Sequence, residues 1–289
     1  MMKVIPVTGC RGGECFLVAD ETTAFLVDTG YAFCAESTKQ NIEKSLGDRE
    51  LAYILITHSH YDHVGGLSQI KKRWPSAVVA ASKQAVDIFA RQGARRLIKS
   101  LDAAAAEQKG NWTPVDWDYT EGLAADIIVG EGDVLKSGDT TVRVMYTPGH
   151  TRCCVNYYFQ EADILAVSET NGVRISRDIV TPAFVVGYKS SLEAIERARS
   201  MAPHRLVISH YGENEGEEAV EFLDKALMAA KDEAEFVMTM HKNGKGFEEI
   251  LAACTSRHYK GKRKEYQPQN AFELNQRAML TNLIEELGG

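Results

Sequence analysis

Short apolar runs separated by turn residues fill most of the chain, and helical spacing takes over in the last quarter. Segments 4–7, 15–18 and 24–27 read as strands, broken by Gly12-Gly13 and by Asp28-Thr29-Gly30. Residues 36–46 carry amphipathic helical spacing. The run Ala52-Tyr53-Ile54-Leu55-Ile56 is continuously apolar, as a strand buried on both faces must be. A helix is expected over 64–72, ending before Pro75, and a strand over 77–81. Residues 84–109 are rich in Ala, Lys and Gln with only Gly93 against a helix, which predicts one or two helices inserted into the fold. A second strand series covers 126–129, 133–135, 141–146, 154–159 and 164–167, followed by a helix over 191–200 and a strand over 205–208. Beyond residue 215 helical spacing holds over 217–241, 246–254 and 272–287. The pattern predicts two β-α halves over 1–212, with an insertion at about 84–110, and a C-terminal helical extension over 213–289.

Charge narrows the partners. Lys and Arg number 33 against 40 Asp and Glu, a net charge of −7, which leaves no basic footprint for nucleic acid or anionic lipid. The longest apolar runs, 77–81 and 164–167 among them, are far shorter than a membrane span. The opening Met-Met-Lys-Val-Ile-Pro is too short an apolar stretch for an export signal, so a cytoplasmic protein with six reduced cysteines is expected. Cys153 and Cys154 are adjacent, so a strand sends them to opposite faces, and they read as core residues.

Candidate chemistry concentrates in Thr57-His58-Ser59-His60-Tyr61-Asp62-His63-Val64-Gly65-Gly66, directly after the buried strand 52–56. Extended backbone sends residues i and i+2 to one side, so His58 and His60 can grip one metal ion. Where the chain turns into the next helix, Asp62 and His63 can swing toward a second. Gly65 and Gly66 let the backbone turn tightly beneath. Three further candidates follow strands: His150 in Thr-Pro-Gly-His-Thr, Glu169 in Ser-Glu-Thr, and His210 in Ser-His-Tyr-Gly. Each alone is weak; together they supply the ligands that two ions would still need.

This multi-part pattern, with Asp28 in Val-Asp-Thr-Gly, resembles the metallo-β-lactamase-fold hydrolases over roughly the first three quarters of the chain. The resemblance implies an α/β fold, an αββα sandwich with a helical insertion and C-terminal helices, and a two-metal site along one edge of the sheets. It assigns His58, His60 and His150 to the first ion and Asp62, His63 and His210 to the second. The family usually has Asp where this chain has Glu169, and that carboxylate bridges the ions. With one more methylene, Glu169 can bridge at a changed spacing, bind one ion only, or point away. Zn is the first choice of metal, with Fe or Mn open, because imidazole and carboxylate ligands without thiolate suit all three.

Two adjacent cations acidify a bound water and polarise a carbonyl or phosphoryl oxygen, which suits thioesters, lactones, β-lactams or phosphodiesters. Asp62 is the natural catalytic group to orient that water and pass its proton to the leaving group. Within the family, flavin-dependent oxygen reductases usually place Glu where this chain has His60. Acyl-homoserine lactonases carry Tyr three residues after the bridging acid, where this chain has Gly172. Glyoxalase II enzymes append C-terminal helices with a basic signature; Lys260-Gly-Lys262-Arg263-Lys264 does not match its context and reads as a solvated loop. The layout is similar to thioesterase-like members, in which the helices roof the metals and form a partly apolar channel. Phe222, Leu223, Leu227, Met228, Phe236, Met238 and Met240 would line it or simply pack between helices. Tyr61 and Tyr211 would reach the substrate or wall the pocket. The expectation is a dinuclear hydrolase of a small-molecule acyl thioester or related ester, with a homodimer through the C-terminal helices open. A phosphodiesterase, a lactonase or a metal-retaining regulatory protein are the alternatives.

Overall fold

The computed structural model describes residues 2–288 apart from Tyr211 and the side chain of Tyr266, so the expectation for Tyr211 lies outside the described residues. Six strands, β1 (Lys3–Pro6), β2 (Phe16–Ala19), β3 (Ala24–Val27), β4 (Tyr53–Leu55), β5 (Val78–Ser82) and β6 (Ile127–Val129), form one sheet in that order. The pairs β1–β2 and β2–β3 are antiparallel, and β3 through β6 run parallel. Parallel neighbours need crossovers. Helices α1 (Ala35–Leu46), α2 (Tyr61–Val64), α3 (Leu67–Arg73), α4 (Lys83–Ala90) and α5 (Gln92–Lys109) supply them.

The second sheet contains β7 (Val134–Ser137), β8 (Thr140–Tyr146), β9 (Val155–Phe159), β10 (Ile164–Val167), β13 (Arg205–Ile208) and β14 (Gly212–Glu215), in the order β14-β13-β10-β9-β8-β7. Only β10 and β13 pair parallel within it. Their connection holds a separate hairpin, β11 (Val173–Ser176) with β12 (Ile179–Thr181), and helix α6 (Tyr188–Met201). The chain closes with α7 (Glu217–Lys242), α8 (Phe247–His258), α9 (Lys262–Tyr266) and α10 (Gln269–Leu287).

Strand alternation builds the layers. Phe16, Val18, Phe25, Val27 and Leu55 point between the sheets, where they meet Val142, Tyr157, Ile164 and Val207 of the second sheet. Their neighbours Leu17, Leu26 and Ile54 point the other way, onto Ile42 of α1 and Ile70 of α3. Leu165, Val167, Leu206 and Ile208 likewise leave the second sheet to meet Ile195 of α6, Phe222 and Leu223 of α7, and Leu280 of α10. The central strands are thus buried on both faces, which is why β2, β3 and β10 are continuously apolar, and the stack is αββα.

Several expectations change. The helix expected over 64–72 is two pieces, α2 and α3, with Gly65 and Gly66 between them. Among the described residues, β11, β12, β14 and α9 were not anticipated, nor were the 3-10 turns Tyr119–Gly122 and Glu169–Asn171. The second sheet runs past residue 212 through β14, and α7, α8 and α10 share one apolar cluster with it. Phe222 and Leu223 pack inside that cluster, while Met228 is 63% exposed, so the stripe on α7 is helix packing. No helix among the described residues is long and apolar enough to cross a membrane.

Candidate metal centre

The chemistry-bearing loops leave one edge of the sandwich. Asp28 follows β3, the segment 57–63 follows β4, His150 follows β8, Glu169 follows β10 and His210 follows β13. Ligand sites in α/β sheets gather at the carboxyl ends of strands, where backbone is free to turn and polar side chains need not enter the core. At this edge the Val155 N–H donates to the Thr57 carbonyl at 2.9 Å, tying one sheet to the other directly beside the site.

All seven residues expected as ligands converge. His58, His60, His150 and Glu169 form one group, and Asp62, His63, Glu169 and His210 form another; within each, the ligand atoms lie within 4.8 Å of one another. Glu169 belongs to both. Its Oε1 is 3.0 Å from His210 Nε2, 3.2 Å from His63 Nε2 and 3.5 Å from His58 Nε2, while its Oε2 is 3.5 Å from His150 Nε2. Of the three orientations open to this longer acid, pointing away is excluded. Asp62 Oδ2 lies 3.8 Å from His63 Nε2 and 3.7 Å from His210 Nε2. His60 and His150 approach through Nδ1 and Nε2 at 3.0 Å.

The far ring nitrogens are held from behind, a feature common at metal-binding histidines because it fixes ring orientation and tautomer. His63 Nδ1 meets Asp28 Oδ2 at 2.8 Å, His150 Nδ1 meets the Ala183 carbonyl at 2.9 Å, and His58 Nδ1 meets Thr57 Oγ1 at 3.0 Å. Glu14 Oε2 stands 3.4 Å from His210 Nδ1. Asp28 was visible in the sequence as part of a motif. Glu14 and the Ala183 carbonyl were not: one sits in a glycine-rich loop with no helical or strand period, and the other contributes only backbone.

Burial and charge set the protonation states. Burial drives His58 well below the ordinary imidazole range, with His63 adding to it, and drives His60 down to about 3, with His150 adding to it. His63 goes the other way: burial opposes its cation, but the Asp62 and Asp28 carboxylates outweigh burial. Burial also opposes charge on His210, yet Glu169 and Glu14 push it up to about 10. Glu169 is held well below the usual carboxylate range because His150 and His210 overcome its burial, whereas burial raises Asp62. The cluster passes a test of fit for cations. His58 Nε2 is buried with no hydrogen-bond partner, and its neutral imidazole offers a lone pair toward Glu169. Nitrogen and oxygen donors without thiolate suit Zn, Fe or Mn.

Above the cluster lies a cavity of about 340 Å³, within the range of small-molecule sites. Its floor holds His60, Asp62, His150, Glu169 and His210. Helix α5 lines it through Leu97, Ile98 and Leu101, α10 through Phe272, Leu274 and Met279, and β11 with the segment after β12 through Val173, Ile175, Pro182 and Val185. Arg263 of α9 also faces it, half-buried and stacked 5.4 Å from the Phe272 ring, so one cation of the run expected to be a solvated loop turns inward. Tyr61 lines the cavity beside His60.

The sequence profile of the metallo-beta-lactamase superfamily matches residues 8–210. A hydroxyacylglutathione hydrolase of Nitrobacter winogradskyi is 30% identical over 126 residues, 43% of this chain and only 36% of that protein's length. The probable metallo-hydrolase YqgX of Bacillus subtilis is 26% identical over 211 residues, covering 72% of this chain and 88% of YqgX. In structure, the metallo-beta-lactamase family protein TTHA1429 of Thermus thermophilus superposes with a TM-score of 0.65 at 18% identity, covering 99% of this chain and 94% of that one. The archaeal superfamily protein ST1585 of Sulfolobus tokodaii superposes with a TM-score of 0.61 at 20% identity, covering 78% and 84%. With its αββα stack and its histidine–carboxylate edge, the chain belongs to the metallo-beta-lactamase superfamily.

Proposed function

We propose that this chain is a cytosolic metal-dependent hydrolase of acyl thioesters or closely related carboxylic esters. His58, His60 and His150 would hold one ion and Asp62, His63 and His210 a second, with Glu169 within reach of both groups. The observation that carries this reading is that the cluster lines an otherwise largely apolar cavity to which α5 and α10 both contribute. An acyl chain fits such walls, and its carbonyl then rests on the floor.

Divalent ions bound there supply Lewis acidity and an acidified water. The remaining work belongs to side chains. Asp62, buried and 3.7–3.8 Å from His210 and His63, orients the attacking water and carries its proton to the leaving thiol. The Asp28–His63 contact keeps that imidazole aimed while charge moves. Helices α5 and α10 exclude bulk water from the reacting carbonyl.

Gly172 weighs against the lactonase alternative. At φ +96°, its added Cβ would stand 2.9 Å from Ala226 Cβ and 3.1 Å from Val180 Cγ1, so the Tyr of lactonases has no room there. The name of the Nitrobacter relative supports thioester chemistry, although the alignment spans only about a third of that protein.

The test is release of free thiol from N-acetylcysteamine thioesters of increasing chain length by zinc-loaded protein. Medium acyl chains are expected to exceed acetyl in kcat/KM. Asp62→Asn is expected to lower kcat by about 10²–10⁴-fold with an unchanged melting temperature. Cleavage of bis(p-nitrophenyl) phosphate without thioester turnover would reassign the chain as a phosphodiesterase. No turnover of any ester by fully metal-loaded protein would leave a binding or regulatory role.

A further inference from the structure

Helix α10 carries an apolar stripe at helical spacing: Phe272, Met279, Leu280 and Leu283 are all at most 1% exposed. Gln276 interrupts it. The residue is 6% exposed, lines the cavity, and its Oε1 is buried with no hydrogen-bond partner. A leucine would continue the stripe at no polar cost, whereas an unpaired buried carboxamide destabilises the fold. Breaks of this kind in an otherwise consistent pattern fall at functional positions.

Its place on the helix says what it would meet. Phe272 lies one turn before Gln276 and Met279 one turn after, and both line the same cavity. A ligand group facing Gln276 is therefore flanked by hydrocarbon on either side. The buried Oε1 lacks a donor, so a turn of the terminal carboxamide toward the cavity offers a ligand an unpaired acceptor, and the amide nitrogen beside it a donor. A hydroxyl both donates and accepts, so it satisfies the carboxamide in either orientation. A ketone or carboxylate only accepts. We propose that Gln276 is the specificity-determining residue of this cavity and that the preferred acyl group carries a hydroxyl within its chain, away from the scissile carbonyl. This rests on the ester-hydrolase reading only for the bond that is cleaved.

The experiment pairs turnover with a binding measurement that needs none. N-acetylcysteamine thioesters of decanoate, of in-chain hydroxydecanoates and of the matching oxodecanoates are compared on zinc-loaded wild type and Gln276→Leu. The free acids are titrated calorimetrically against both proteins. Wild type is expected to favour one hydroxydecanoyl isomer over decanoyl by at least about tenfold in kcat/KM, expressed mainly in KM. Gln276→Leu is expected to lose that preference through better use of decanoyl, while its melting temperature is unchanged or higher. Loss of the hydroxydecanoate preference in calorimetry, with no thioester cleaved by either protein, would uphold the role of Gln276 and overturn the reaction assigned above. Thioester turnover with the same hydroxyl preference in both proteins, or with none in wild type, would overturn the role of Gln276.

Discussion

Asp28 adopts a left-handed backbone conformation, φ 57°, at the end of β3. For a residue with a Cβ this costs about 1–2 kcal/mol. It persists because the turned carboxylate accepts from Thr57 N–H at 2.8 Å and Thr57 Oγ1 at 2.8 Å and meets His63 Nδ1 at 2.8 Å. Asp28→Ala is expected to weaken metal binding by about 10–100-fold, as loss of a partner behind a ligating imidazole does. It is also expected to lower stability by about 1–3 kcal/mol, because Thr57 N–H is left unsatisfied. Equilibrium dialysis with elemental mass spectrometry and urea melts check both, and undiminished metal affinity would contradict the assigned contact. At this scale the seven ligand candidates were legible because metal chemistry restricts residue type so narrowly: His58, His60, Asp62 and His63 crowd six positions. The supports behind them were less so, since a carbonyl such as that of Ala183 leaves no mark on its own residue's identity.

The two glycines between α2 and α3 were expected to serve a tight turn, yet Gly65 has an ordinary helical φ of −57°. What demands glycine is close approach: an added Cβ on Gly65 would stand 2.3 Å from Ala32 N and one on Gly66 2.4 Å from Thr29 O. Gly65→Ala is thus expected to destabilise by about 1–3 kcal/mol through overpacking. Gly93→Ala, where a Cβ meets nothing within 4 Å in the first turn of α5, is expected to stabilise by up to about 1 kcal/mol. Thermal melts of the two variants should move in opposite directions. The long elements were readable because burial on both faces, or on one helical stripe, forces an apolar pattern. The short ones were not. Strand β14 is Gly-Glu-Asn-Glu and exists by pairing with β13, and α9 is five mostly charged residues, so neither writes a period into the chain.

On the scale of the whole molecule, the loop after β3 is fastened to the cavity wall by one buried acid. Asp102 of α5 accepts the Ala32 N–H at 2.9 Å, and burial pushes its carboxyl up to about 7. In the unfolded chain it titrates near 3.8. The folded state therefore binds the extra proton between those values, and stability falls as pH rises through that window, by up to about 1.4 kcal/mol per pH unit. Asp102→Asn, neutral throughout, is expected to flatten this part of the pH–melting curve; a wild-type slope retained in the variant would place its origin elsewhere.

The site also divides its labour. The candidate ligands all sit beyond strand ends of the sandwich, two of them in the short α2, while much of the cavity's apolar lining comes from α5 and α10, which carry no ligand. Cavity-facing positions of those two helices, Leu97 and Leu274 among them, can thus change without removing a ligand. A lineage built on this plan is free to refit the vestibule while keeping the hearth, so two descendants with identical histidines need not welcome the same guest.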